Sequence, residues 1–402
     1  MIERKFYLDT LKLYIGKPVI KVISGMRRCG KSVLLKQYRE YLMSEEIPAG
    51  NIMMINKESL EFDFIRNYDD LYKYVEQTFS GIMTVKYLLI DEVQEIDQWE
   101  KAINSFFSAG DFDITITGSN ARMLSTELST LIAGRYIEIP LYPFSFIEFR
   151  KFRSINYPDE RMKESFNLYM RYGGLPGIHS MPLTDEAVFP YLNAIFNTAL
   201  LKDIVSRHKI REVELLERIT RFIFSNCGNI TSAKRISDFL KSQRTPVSVE
   251  TVQNYLFFLA QAYIVHRVRR YDIQGKRELV YSEKFYPADA GLRFGLTGFT
   301  DSGISGILEN LVFNKLLQNG YSVTTGQIGP LEVDFIAEKQ EEKIYIQVAC
   351  LLDHEKTVER EFGNLLKIPD NFPKMVISLD EYWDKSRQGV IRTNLIDFLS
   401  AE

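Results

Sequence analysis

The chain has 402 residues, enough for two or three domains at roughly 100–200 residues each. It is 45% hydrophobic and 26% charged, which excludes a disordered or fibrous protein, and its formal net charge of −3 excludes a global positive field aimed at nucleic acid or membrane. Three widely separated cysteines (Cys29, Cys227, Cys350) lack the paired spacing of a zinc site or a disulfide framework and fit a reducing compartment. No apolar leader and no run of about 18 apolar residues occurs, so the expectation is a soluble, cytoplasmic protein without a membrane partner.

In chain order, the first 140 residues alternate between short β-branched runs and helical patterns. Val19–Ile23, Asn51–Ile55, Tyr87–Ile90, Ile114–Thr117 and Tyr136–Ile139 read as strands, and Ser32–Met43 as a helix. Apolar runs separated by helices predict an α/β fold with a parallel sheet covered on both faces.

Gly25-Met26-Arg27-Arg28-Cys29-Gly30-Lys31-Ser32 matches G-x-x-x-x-G-K-[ST], directly after a predicted strand and opening a helix. The two glycines permit backbone angles that let successive N–H groups curl around phosphate oxygens, and the helix N-terminus adds positive potential. Residues Gly25 to Val33 are therefore candidate nucleotide contacts, with Lys31 on the β and γ phosphates and the Ser32 hydroxyl on Mg²⁺.

Sixty residues on, Tyr87–Ile90 ends in Asp91 and Glu92, at the strand's carboxyl edge where open α/β sheets bind ligands. Asp91 is placed as a metal ligand and Glu92 as the carboxylate that polarises water. Ile114–Gly118 ends in Ser119 and Asn120, which read either as contacts to the γ-phosphate or attacking water, or as a turn capping the next helix. Leu131–Gly134 leads to Arg135, read as a guanidinium serving a nucleotide on a neighbouring subunit, the alternative being a surface salt bridge.

Together Gly25–Ser32, Leu88–Glu92, Thr117–Asn120 and Gly134-Arg135 resemble the AAA+ ATPases, whose corresponding parts are Walker A, Walker B, sensor 1 and the arginine finger. The variant with Ile90–Gln94, Pro143–Phe149 and Gly173-Gly174-Leu175-Pro176 is similar to prokaryotic AAA+ proteins with a C-terminal domain of unknown function. The resemblance implies a P-loop core over 1–144, a helical lid over 145–205, ATP and Mg²⁺ as cofactors, and a homo-oligomer. It leaves the role of Arg171 open.

Residues 201–300 hold 17 Lys/Arg against 10 Asp/Glu, and 231–277 hold nine against three, so the middle of the chain alone hints at an anionic partner. A helix over 231–240, a second opened by Ser248 and reaching Ala262, then strand-like runs at Tyr263–Arg270 and Glu278–Tyr281 lay out a winged helix over 206–290. DNA is the candidate partner. However, residues 248–262 carry no Lys or Arg, which favours phosphate contact over base reading and leaves a structural or protein-binding role open.

In 291–402, Glu309, Asp334 and Gln347 resemble the PD-(D/E)XK nuclease pattern, but Gln347 stands where a Glu is expected and Ala349 where a Lys is. Lys343 shares their face by alternation, yet lies roughly 13 Å along the strand from Gln347. The expectation is an α+β, nuclease-like domain that does not cleave. For the whole chain it is a Mg²⁺-dependent ATPase whose turnover drives a conformational change, with a nucleotide-gated signalling or defence switch of little turnover as the alternative.

Overall fold

The computed structural model describes residues 2–121, 134–298, 303–381 and 386–401. They divide into two compact units, one made of the described residues up to 142 with Gln261–Tyr263, the other of those in 143–260 and from 264 on.

The first unit is built on five parallel strands: β1 (Ile20–Ser24), β2 (Ile52–Asn56), β3 (Lys86–Asp91), β4 (Phe112–Gly118) and β5 (Tyr136–Pro140), in the order β2-β3-β4-β1-β5. Each lies within two residues of its sequence expectation. Strand alternation sends Ile20 and Val22 into a core shared with helices α3 (Tyr68–Thr78) and α4 (Trp99–Ala109), where Leu71, Val75, Trp99 and Phe106 are buried. Lys21, on the opposite face, is ion-paired with Asp113 beneath Tyr38 of α2 (Lys31–Ser44); α1 (Lys5–Lys12) precedes β1. Helices therefore cover both faces, as continuous apolar strands require.

The second unit begins with α5 (Phe146–Arg153), α6 (Met162–Tyr172) and α7 (Asp185–Ala199), which runs into a π-helical turn at Leu200–Ser206. Then come α8 (Val213–Ser225), α9 (Ala233–Ser242) and α10 (Val249–Gln261), the last with all but Gln261 in this unit. Strands β6 (Val265–Asp272) and β7 (Arg277–Pro287), helices α11 (Ala290–Thr297) and α12 (Ile304–Gln318), and strands β8 (Ser322–Ile328), β9 (Leu331–Lys339) and β10 (Glu342–Val348) follow. The chain ends with α13 (Glu355–Leu366), β11 (Lys374–Ser378), β12 (Ser386–Arg387), β13 (Val390–Asn394) and α14 (Leu395–Ser400). The eight strands form one mixed sheet in the order β12-β13-β11-β10-β9-β8-β6-β7. The hairpin β6–β7 thus belongs to the same sheet as the strands after residue 320, across the expected boundary at 290/291.

Two motifs that carry the family resemblance, Pro143–Phe149 and Gly173–Pro176, have structural work in this unit. Ser145 caps α5 by accepting from Glu148 N (3.2 Å), while Glu148 Oε2 accepts from Ser145 N (2.9 Å), and Phe144, Phe146 and Phe149 are buried beside it. Gly173 has φ +78°, and a Cβ there would lie 1.9 Å from Asp289 Oδ1. Asp289 caps α11 and accepts from Gly174 N (2.6 Å) and Gly291 N (2.9 Å); burial nevertheless pushes its carboxyl up to about 6.

The core of this unit contains an ammonium. Lys284 on β7 is 1% exposed and donates to Glu309 Oε2 (2.9 Å) and Asp334 Oδ1 (3.0 Å), with Glu332 Oε1 at 2.6 Å. Burial opposes its charge, but the facing carboxylates hold its pKa well above the usual lysine value. Burial and the Asp334 charge push Glu309 up to about 8, and Tyr286 donates to it at 2.8 Å.

Removing one partner of a buried ionic cluster leaves the others uncompensated. Lys284→Met is expected to lower the unfolding free energy of this unit by about 3–5 kcal/mol in urea melts, with Lys284→Met/Asp334→Asn recovering part of it. A second outcome concerns His179, whose ring packs among Phe144, Phe149 and Phe152 and is held down to about 4 by burial. The unfolded chain, with a histidine near 6.5, binds the extra proton between those values, so this contribution is lost as pH falls from 6.5 towards 4. Wild type should lose about 1–2 kcal/mol more than His179→Phe between pH 7 and pH 5.

Candidate functional site

The site lies at the carboxyl edge of β1, β3 and β4. Gly25 follows β1 with φ +148°, and a Cβ there would sit 2.3 Å from Leu141 O; Gly30, with φ +107°, is the left-handed residue from which α2 starts. Arg28 also has a positive φ of 65° and is exposed, whereas Met26, Arg27 and Cys29 are buried. Ser32 and Val33, in the first turn of α2, are partly buried. Cys29 is a free thiol raised by burial, and its carbonyl accepts from Arg4 Nη1 (3.4 Å). Arg27 lies 3.6 Å from Glu58.

Lys31, 4% exposed, folds its ammonium back over the loop, donating to Gly25 O (3.1 Å) and Met26 O (3.2 Å) and lying 3.3 Å from Glu92 Oε1. Burial disfavours both charges, but their mutual attraction prevails: Lys31 is raised, and Glu92 is lowered with help from Gln94, which donates to Glu92 Oε2. Glu92 itself is left-handed (φ +53°) and its N–H donates to Thr117 Oγ1 (3.0 Å).

Asp91 ends β3 completely buried. Burial raises its pKa, while the hydroxyls of Thr117 (2.5 Å to Oδ1) and Ser32 pull it down. Its Oδ2 is buried without a hydrogen-bond partner among the described residues. A hydroxyl and a carboxylate with an unsatisfied oxygen form the hard-oxygen donor set that Mg²⁺ prefers, and the curled loop ahead of them suits a phosphate chain.

Ser119 and Asn120 are buried at the end of β4, with Ser119 Oγ 3.4 Å from Gln94 Nε2. The structure therefore gathers Lys31, Ser32, Asp91, Glu92 and Ser119 by these contacts. Arg135 is elsewhere. Its carbonyl accepts from Ile20 N at the opposite edge of the sheet, roughly 13 Å along β1, and its guanidinium donates to Asn104 Oδ1 (3.1 Å) over the Phe107 ring. Residues 131–133 of that motif lie outside the described residues.

Several members were missed by sequence reasoning. Thr117 bridges both acids, and Gln94 steadies Glu92. Glu138 Oε1 accepts from Ser24 Oγ (2.5 Å) and Tyr263 Oη (3.1 Å), and Ala121 N donates to Gln261 O (2.8 Å). Thr117 and Gln94 stood inside the quoted motifs, but nothing in the sequence pairs residues 261–263 with residues 24, 121 and 138.

In the second unit, Glu309 and Asp334 do come together, around Lys284. Gln347 bridges rather than ligates: its Oε1 accepts from Asp334 N (3.0 Å) and its Nε2 donates to Glu361 Oε2 (2.8 Å). Lys343 is turned to Glu338 (3.0 Å). Among the described residues, no group of three His, Cys, Asp or Glu is placed to hold a metal ion. Arg171 is ion-paired with Asp185, its Nε 2.8 Å from Oδ1. Among the described residues no helix is long and apolar enough to cross a membrane.

Comparison with known proteins places the chain in a family. The profile of the AAA domain matches residues 17–150, and that of a domain of unknown function matches residues 163–303. An uncharacterised protein of Haemophilus influenzae is 37% identical over 400 residues, 99% of this chain and 98% of its own. Another from Methanocaldococcus jannaschii is 30% identical over 356 residues, 85% of this chain and 77% of its own. Among solved structures, the Walker-type ATPase of Pyrococcus abyssi is similar with a TM-score of 0.49 and 16% identity, over 74% of this chain and 96% of that one. With its Haemophilus relative, the chain belongs to a family of AAA-domain proteins, in which the AAA domain is followed by a domain of unknown function.

Proposed function

We propose that the protein is a cytoplasmic, Mg²⁺-dependent ATPase that uses turnover to drive a conformational change. The observation that carries this reading is the convergence of Lys31, Asp91 and Glu92 at one sheet edge, with a buried unsatisfied oxygen on Asp91. Mg²⁺ would supply charge neutralisation on the β and γ phosphates, held by Ser32 and Asp91.

The loop from Gly25 to Gly30 offers its N–H groups to the phosphates. Lys31 exchanges the Gly25 and Met26 carbonyls for phosphate oxygens, which weakens its hold on Glu92. Glu92, released, orients a water and accepts its proton; Gln94, Ser119 and Asn120 stand where they sense that exchange. Arg135, remote from its own loop, is suited to act on the nucleotide of a second copy.

The Lys31–Glu92 pair also favours a second reading, a nucleotide-gated signalling or defence switch. A water-orienting acid already held by a lysine and a glutamine gives slow basal turnover, and a partner would have to free it. For the second unit we propose a winged-helix and nuclease-like architecture that does not cleave, since Gln347 and the Lys284-filled carboxylate cluster leave no catalytic metal set. DNA contact through 231–277 rests on local charge. Against base reading, Arg267, Arg269 and Arg277 of the hairpin already face Glu283, Glu278 and Asp272.

Calorimetry and phosphate release test the ATPase reading. Lys31→Ala is expected to weaken ATP binding about 10–100-fold. Glu92→Gln should keep binding and lose on the order of 10²–10⁴-fold in turnover. Absence of binding heat with ATP or GTP in wild type would remove the reading, and wild-type turnover as low as that of Glu92→Gln would select the switch. Mixing Glu92→Gln with Arg135→Ala tests the trans role: mixed assemblies contain sites with both intact groups, so activity should exceed the sum of the two alone, and no recovery rejects it.

A further inference from the structure

Outside the nucleotide site, the second unit carries a cavity of about 830 Å³ between α8 and α9. Its walls follow helical periodicity. Arg218, Arg221 and Phe222 lie on one face of α8, opposite the buried Leu216, Ile219 and Ile223, and Arg235, Phe239 and Gln243 line up on α9 and its C-cap. No Asp or Glu lines it.

The side chains are placed but not used up. Arg218 donates to Thr245 Oγ1 (2.8 Å) and to the exposed Glu214 (2.8 Å), Arg221 to Leu296 O, and Arg235 to Ile230 O (3.2 Å). A guanidinium has five N–H donors, so these contacts fix three forks while leaving donors for a ligand. Phe239 is 43% exposed, and its ring stands 4.8 Å from that of Phe222. The exposed part of the ring is open to a flat partner between the arginine forks.

We propose that this groove binds single-stranded nucleic acid, a base stacking on Phe239 and neighbouring phosphates pairing with Arg218, Arg221 and Arg235. Cationic forks alternating with an exposed aromatic match an unpaired strand, whose bases show their π-faces while its phosphates follow the chain. A duplex hides those faces, and an acidic peptide would leave the ring uncovered. The proposal deepens the nucleic-acid part of the reading above and narrows the contact from the whole 231–277 segment, whose hairpin arginines already face acids, to the groove between α8 and α9. It is independent of the nucleotide site.

The test is fluorescence anisotropy of a labelled dT12 with the full chain at 50 and 200 mM salt. With three phosphates neutralised, affinity should fall about 20-fold between the two conditions. Arg235→Gln should weaken binding and flatten that salt dependence. Phe239→Ala should weaken binding about tenfold at both salts, with the slope unchanged. Both side chains are exposed, so folding is expected to survive; circular dichroism and unchanged ATP affinity check it, and they separate failure here from failure of the ATPase reading. Dinucleotide pTpT and a 12-base-pair duplex serve as competitors. No binding at 50 mM salt, full binding by both variants, or competition by pTpT or duplex as strong as by unlabelled dT12 would overturn the proposal.

Discussion

The ammonium of Lys31 is the charge around which the first unit's site is arranged. It is buried at the start of α2, so it must be compensated within a few ångströms, and the chain offers Glu92 and two loop carbonyls to do so. That requirement fixes the path of the loop: Gly25 must pass against Leu141 where no Cβ fits, and Gly30 must turn left-handed so that α2 begins under the ammonium. It also fixes Glu92, itself left-handed, with Gln94 and Thr117 holding the groups that Lys31 does not. Any anion that competed for Lys31 would therefore act on Glu92 and the loop carbonyls together.

The second unit solves the same problem differently. Lys284 is buried among Glu309, Glu332 and Asp334, and no ligand needs to arrive for its charge to be balanced. A carboxylate cluster that reads in sequence as the remnant of a metal site is, in the folded chain, closed by an internal cation. The same contrast explains why a likeness to nucleases at the level of spacing says little about cleavage: the three acidic side chains already face an internal ammonium.

Much of the first unit was legible because its signals are local. Strand β1, the loop, Lys31 and Ser32 are contiguous, and the five apolar runs are long enough to specify strands within two residues. Asp91 and Glu92 were legible as a strand ending in acids. Thr117 was not, because a threonine inside a β-branched run carries no mark of which neighbouring strand its hydroxyl will meet. Lys284 was invisible for a related reason: a lysine in a hairpin looks exposed until the strands around it bury it, whereas Lys343, which alternation favoured, pairs with Glu338 of β9.

By itself, the sequence determined the parallel sheet, the phosphate-type loop and the two acids, because glycine conformations, β-branched runs and a lysine at a helix start act over a few bonds. Only the tertiary structure decided that the hairpin after α10 joins the sheet of the strands after residue 320, that Tyr263 and Gln261 reach Glu138 and Ala121, and that Asp289 closes over the glycines at 173 and 174. Those pairings join residues far apart in the chain, and hydrogen-bond partners at such separations are chosen by which surfaces pack, which no local pattern encodes.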